Sequence, residues 1–179
     1  MHARLNETMT FVEDRRRELL RSFEGVSGNR LSQKATPDGW SVAEILEHLR
    51  MVESGIARLI TKRVGQAKEA GLGEETATTS VIPSFDQHQK MLESAVLQSP
   101  PAVQPRANVD ISEAVDGLES SREALRAAVV MADGLSLGEI KHNHPILGEL
   151  DLYQWLIFLG QHESRHRKQI ERTLKSIPE

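Results

Sequence analysis

Cysteine is absent from the 179 residues, which excludes disulfides, a thiolate nucleophile and any thiolate metal ligand. A metal site in this chain must therefore be built from histidine or carboxylate. Aromatic residues are few, with two Trp, one Tyr and four Phe. Long apolar runs are missing too. The stretch Trp155 to Leu159 is only a turn or so of helix, against the ~20 apolar residues of a membrane-spanning helix, so no membrane association is expected. Met1 to Glu7 contain no apolar signal-peptide core, and a cytoplasmic protein is expected.

Neither sign of charge dominates. Twenty-two basic and 26 acidic residues leave a formal net charge of −4. The basic groups Arg15-Arg16-Arg17 and Arg165, Arg167, Lys168 are short and flanked by acids such as Glu13, Asp14, Glu18, Glu163 and Glu171. A nucleic-acid surface normally needs a larger, unbalanced basic stripe with aromatics for stacking, so no nucleic-acid partner is expected.

What the chain does have is helical periodicity. Hydrophobic residues make up 39% of it, enough for one core, and a single domain spanning residues 1–179 is expected. The first helix is predicted from about Asn6 to Glu24, with Met9, Val12, Leu19, Leu20 and Phe23 inward and a charged face from Glu13 to Glu18. The second begins at the capping box Ser41/Glu44 and frays after Arg63, near Gly65. Its buried stripe is Val42, Ile45, Leu46, Leu49, Val52, Ile56, Leu59 and Ile60, at the spacing of one helix face.

Residues 65–83 read as a mobile connection, followed by a short helix from Phe85 to Gln98 and an extended chain to Asn108. The third long helix runs from about Ser112 to Ala132, with Leu118, Leu125, Val129 and Val130 inward. Residues 135–150 read as a loop carrying His142 and His144, since no strand-like alternation persists anywhere. The fourth long helix starts at the Asp151 cap, with Gln154 completing a weaker box. Leu152, Trp155, Leu156, Phe158, Leu159, Ile170 and Leu174 face inward. The expected fold is all-α: a four-helix bundle with a short extra helix and a long connection between the second and third long helices.

Three histidines interrupt these apolar stripes. His162 and His166 lie four residues apart, so both imidazoles leave the same helix face. That spacing alone is common. Their placement says more: His162 follows Phe158 by four residues, and His166 precedes Ile170 by four. His48, three after Ile45 and four before Val52, sits equally on the buried side of its helix. A lone inward histidine is usually a core residue satisfied by one hydrogen bond. Three of them on two helices would each need a buried partner, whereas one divalent cation satisfies all three. Nitrogen ligands suit zinc, nickel and other late divalent metals, and a three-histidine set leaves a fourth position open, as in catalytic zinc sites.

The remaining histidines carry less. His142 and His144 read as accompanying or exposed groups, His88 as surface, and His2 as terminal. Trp40 and Trp155 are expected to pack the core, with Trp40 also at the pocket rim, and Tyr153 is a candidate donor. Glu47 and Glu163 are sequence neighbours of the ligands but lie ~100° around the helix, so they are expected to face away from the ion.

The segment Gly39-Trp40-Ser41-Val42-Ala43-Glu44-Ile45-Leu46-Glu47-His48-Leu49 resembles the DinB-like superfamily. So do His144-Pro145, Gly148, Trp155, His162-Glu163, Arg165-His166 and Gln169-Ile170. The two signatures lie about a hundred residues apart, in the family's order, and together span essentially the whole chain. The resemblance implies a four-helix bundle, often dimeric, with a metal held by three histidines that fall on His48, His162 and His166. It also implies kinship with YfiT-type metal-dependent hydrolases and with bacterial transferases and isomerases that use low-molecular-weight thiols such as bacillithiol or mycothiol.

The leading expectation is thus a metal-dependent enzyme acting on a small molecule. The ion activates either water or a thiol, no separate general base is evident, and a homodimer is expected. The rival is a non-catalytic, stress-related bundle in which the metal is structural; a small-ligand carrier is the third reading.

Overall fold

The computed structural model describes residues 1–94 and 99–178, with the backbone alone for 93 and 94. Among the described residues six α-helices and one β-hairpin follow one another: α1 (Ala3–Arg21), α2 (Gly28–Leu31), α3 (Val42–Glu69), α4 (Asp86–Ser94), α5 (Ile111–Ala132), β1 (Lys141–His144), β2 (Gly148–Asp151) and α6 (Leu152–Ser176). The four long helices form the bundle. α3 packs chiefly on α5, α1 on α6, and α3 also on α6. No helix among the described residues is long and apolar enough to cross a membrane.

Capping explains where the long helices begin. The Ser41 side chain accepts from Glu44 N while the Glu44 carboxylate takes the Ser41 N–H, at 3.2 and 2.9 Å. Asp151 and Gln154 make the same reciprocal pair at the start of α6, at 2.9 and 3.0 Å. Asp110 caps α5 through the N–H groups of Ser112 and Glu113. Each device satisfies amides that the helix's own ladder leaves free.

Several expectations are corrected. The first helix starts earlier and ends earlier than 6–24, and a single turn, α2, follows where only a stop was expected. α3 runs through Gly65 to Glu69; one glycine costs only ~1 kcal/mol, and Val64, fully buried beside it, holds the turn in place. Leu20 and Val130 are 37% and 67% exposed. Each follows a residue, Leu19 or Val129, that already occupies the inward position, and one step turns the side chain by ~100°.

The stretch after α3 is tied down rather than loose. Glu75 N donates to Gly134 O at 2.8 Å, Ser136 N donates to Gly73 O at 3.2 Å, and the Arg4 side chain reaches Thr79 O at 2.9 Å. The short helix is confirmed up to Ser94; residues 95–98 of its expected span lie outside the described residues. The extended run to Asn108 contains one 3-10 turn, Pro101–Val103. The expected 135–150 loop holds the antiparallel hairpin β1–β2, paired from Lys141↔Asp151 to His144↔Gly148. Gly148 takes a φ of 77° there, a conformation that disfavours a Cβ.

The charged face expected over Glu13–Glu18 is broken by Arg16, only 4% exposed. Arg16 on α1, Glu53 on α3, Arg122 on α5 and Glu163 on α6 form one buried belt. Glu53 accepts from Arg16 at 2.8 Å and from Arg122 at 2.7 Å; Glu163 accepts from Arg16 at 2.7 Å and from Arg122 at 2.8 Å. The belt lies between two apolar clusters. Val12, Ile56, Leu125 and Leu159 are on one side, and Leu19, Leu49, Leu118 and Ile170 on the other. Two guanidinium groups and two carboxylates balance formally, which is what makes their burial tolerable.

Candidate metal centre

α3 and α6 carry the three histidines to one point. His48 lies two turns into α3, downstream of the Ser41 cap, and is 3% exposed. His162 and His166 lie one turn apart on α6, the former half-buried and the latter 8% exposed. Their Nε2 atoms face each other. His162 Nε2 is 3.2 Å from His48 Nε2 and 3.1 Å from His166 Nε2, and a ligand atom from each residue lies within 4.8 Å of the others. A zinc ion with Zn–N bonds of about 2.0–2.1 Å in tetrahedral array separates its nitrogens by about 3.3 Å. The cluster could hold a metal ion with little adjustment.

The outer nitrogens set the tautomers. His48 Nδ1–H donates to Val103 O at 2.7 Å, with Ser99 Oγ at 3.4 Å from the same nitrogen. His166 Nδ1–H donates to Gln169 Oε1 at 2.8 Å. Both Nε2 atoms are thereby left as lone pairs aimed inward, the outer-shell arrangement typical of metal-bound histidine. A single proton on His162 Nε2 can satisfy one of them and leaves the other facing nitrogen. A cation satisfies all three, so the donor set fits the group.

Electrostatics agree. Burial pushes His166 down to about 3, and lowers His48 as well. Burial, followed by the neighbouring His166 and His48, holds His162 well below the usual imidazole range. All three are neutral at pH 7, the form that binds metals.

The cluster forms part of the wall of a cleft of about 1230 Å³. Trp40, Met51, Val52, Ile56, Trp155 and Phe158 give that cleft apolar walls; Arg165, Lys168 and Arg172 lie along it, and Asp38 is its one carboxylate among the described residues. Trp40 packs at 5.1 Å from the His48 ring, and Phe158 stacks on His162 at 5.4 Å.

The other candidates separate cleanly. Glu47 turns to Arg50, at 2.7 and 2.8 Å, and Glu163 belongs to the belt, so neither faces the cluster. Tyr153 is buried in the first turn of α6, where its hydroxyl donates to Glu75 at 3.1 Å; it does not line the cleft. His88 stacks on Phe85 at 5.3 Å, and His2 caps α1. His142 is exposed on the hairpin, its carbonyl accepting from Trp155 Nε1 at 3.3 Å. His144 is buried and lines the cleft, contrary to its reading as a loop group. Sequence reasoning also missed Gln169 and the Val103 carbonyl as partners of the ligand rings. Gln169 stands three residues after His166, the spacing at which helix side chains meet, whereas nothing local links position 103 to position 48.

Comparison with known proteins supports this architecture. The chain is 25% identical over 170 residues to YuaE of Bacillus subtilis, an uncharacterized protein, covering 94% of this chain and 98% of that one. Among solved structures it is similar to TT2238, a four-helix bundle protein, with a TM-score of 0.57, 20% identity, and coverage of 93% and 96% of the two chains. That likeness shows the fold. The family model of the DinB superfamily matches residues 12–170. The chain belongs to the DinB superfamily.

Proposed function

We propose that the chain is a metal-dependent enzyme whose His48, His162 and His166 hold one divalent ion, zinc or nickel, through Nε2. The observation that carries this reading is the convergence of three neutral imidazoles on the wall of a large cleft. Bound there, the ion supplies Lewis acidity, acidifying a water molecule or a thiol brought to it. Val103 and Gln169 hold the two outer rings in the ligating tautomer. Trp40 and Phe158 give the histidines' cleft side an apolar surround.

Among the described residues no carboxylate stands beside the cluster to act as a base, which favours transfer to or from a low-molecular-weight thiol over hydrolysis, since a thiol needs no further base once acidified. Three cations against one acid among the described residues along the cleft favour a small, partly apolar substrate bearing an anionic group.

A purely structural ion is the rival. It is disfavoured because α3 and α6 are already joined by the Arg16–Glu53–Glu163 bridge and by apolar packing. Chelation separates the two readings. An unchanged melting temperature with loss of thiol-transfer or esterase turnover supports catalysis. A large drop in melting temperature, with no turnover in the metal-loaded protein either, supports the staple. Homodimer formation, expected from the family resemblance, is checked by light scattering of the metal-loaded protein.

A further inference from the structure

The hairpin brings two more histidines, His142 and His144, to the cleft, and the chemistry of the buried one, His144, is opposite to that of the cluster. His144 Nδ1 accepts two backbone N–H groups of its own turn, from Ile146 at 3.2 Å and from Leu147 at 3.1 Å. A nitrogen that accepts in this way carries no proton, so the ring's proton sits on Nε2. The ring is fixed between Trp155, at 5.0 Å, and Phe158, at 4.7 Å, and Phe158 in turn stacks on His162. His144 is 9% exposed and lines the cleft. Its Nε2 has no hydrogen-bond partner among the described residues. A donor so placed is normally satisfied by water or by a ligand.

We propose that His144 is a substrate-binding residue, presenting Nε2–H to an oxygen acceptor, a carbonyl or carboxylate, on the molecule that occupies the cleft. The inference rests on the cleft being the substrate site. The cluster imidazoles offer lone pairs, while His144 offers a proton and stays neutral, because burial and then the nearby His88 lower it to about 4. A neutral imidazole is a weak acid and a good fixed donor, so it can polarise or orient an oxygen without giving up its proton at pH 7. The hairpin that the sequence read as a loop thus has a purpose in the site: its turn amides choose the tautomer.

Two substitutions separate binding from folding. In His144→Asn, the side-chain oxygen stands near Nδ1 and can still accept the turn amides, but nothing reaches the Nε2 position. In His144→Gln, the amide nitrogen stands near Nε2, and the turn loses its acceptor. The probes are benzoate, hexanoate and phenyl phosphate, titrated into metal-loaded protein carrying 15N-labelled histidine.

The expected results are an Nε2-protonated His144 in the free protein, a shift of its Nε2–H resonance by at least one probe, and at least tenfold weaker binding of that probe to His144→Asn with native helicity retained by circular dichroism. His144→Gln should keep most of the affinity and lose thermal stability. An Nδ1-protonated ring, no response to any probe, or wild-type affinity in His144→Asn would overturn the inference. Metal content measured on the same samples keeps the two proposals apart. Probe binding through His144 in a protein that takes up no metal removes the metal-enzyme reading and leaves this one standing; full metal content with no role for His144 does the reverse.

Discussion

Glu53→Gln should be among the most damaging single-atom changes in this protein. The Glu53 carboxylate accepts from Arg16 at 2.8 Å, from Arg122 at 2.7 Å and from Ser121 Oγ at 2.5 Å, at 1% exposure. Glutamine keeps the shape, removes the charge and turns an NH2 group toward a guanidinium. Inside the belt, Arg16 and Arg122 then share Glu163, and only the part-exposed Glu13, 3.2 Å from Arg122, remains to offset the second buried positive charge. Breaking a buried pair in this way costs about 3–5 kcal/mol. At about 2–4 °C per kcal/mol for a chain of this size, the melting temperature should fall by about 6–20 °C. Urea denaturation and calorimetry of the variant measure it. Arg122→Met on the same background restores neutrality, so the double variant should lose less than the two single losses added together. A cost below about 1 kcal/mol, or strict additivity in the pair, would refute the view that the four residues balance as one charge unit.

Other outcomes follow from particular contacts. Gly160→Ala should destabilise by about 1–3 kcal/mol, because a Cβ there would lie 2.5 Å from Phe11 Cε1 and 3.2 Å from Arg15 Cγ across the α1–α6 contact; denaturant midpoints check this. The metal-stripped protein should be most stable above about pH 6.5 and lose stability as pH falls toward 3–4. His144 and His166 are lowered to about 4 and about 3 by burial, so the unfolded chain binds protons across that window that the folded chain does not. Urea melts at pH 7 and pH 5 test the sign, and His144→Asn should flatten the slope. Ser41→Ala should cost about 0.5–2 kcal/mol through the lost cap of α3, read by thermal melting.

Much of this molecule was legible in its residues, for identifiable reasons. α6 matched expectation closely because a cap residue and an apolar stripe mark its start, α3 did so at its Ser41 end, and α5 followed its stripe of Leu118, Leu125 and Val129. The histidine cluster was visible because His48, His162 and His166 continue those stripes, and a polar group on an apolar stripe asks for a partner. The belt was not visible. Arg16 and Glu163 each sit in charge-rich stretches that look solvated, and only the juxtaposition of four helices shows that Glu53 and Arg122 complete a ring with them. The hairpin escaped because four residues per strand, with sequences Lys141-His142-Asn143-His144 and Gly148-Glu149-Leu150-Asp151, are too short for alternation to register. His144's tautomer depends on the turn that hairpin makes, so it could not be read before the turn was known. Gly65 misled because a single glycine marks an end in sequence but is readily absorbed in a helix held by packing.

The central claim is that three imidazoles from α3 and α6 share one cation, and elemental analysis tests it most directly. Wild-type protein, metal-loaded and desalted, should retain one zinc or nickel per chain, while His48→Ala and His162→Ala should retain almost none at wild-type helicity by circular dichroism. Equal metal content in all three proteins would contradict the assignment.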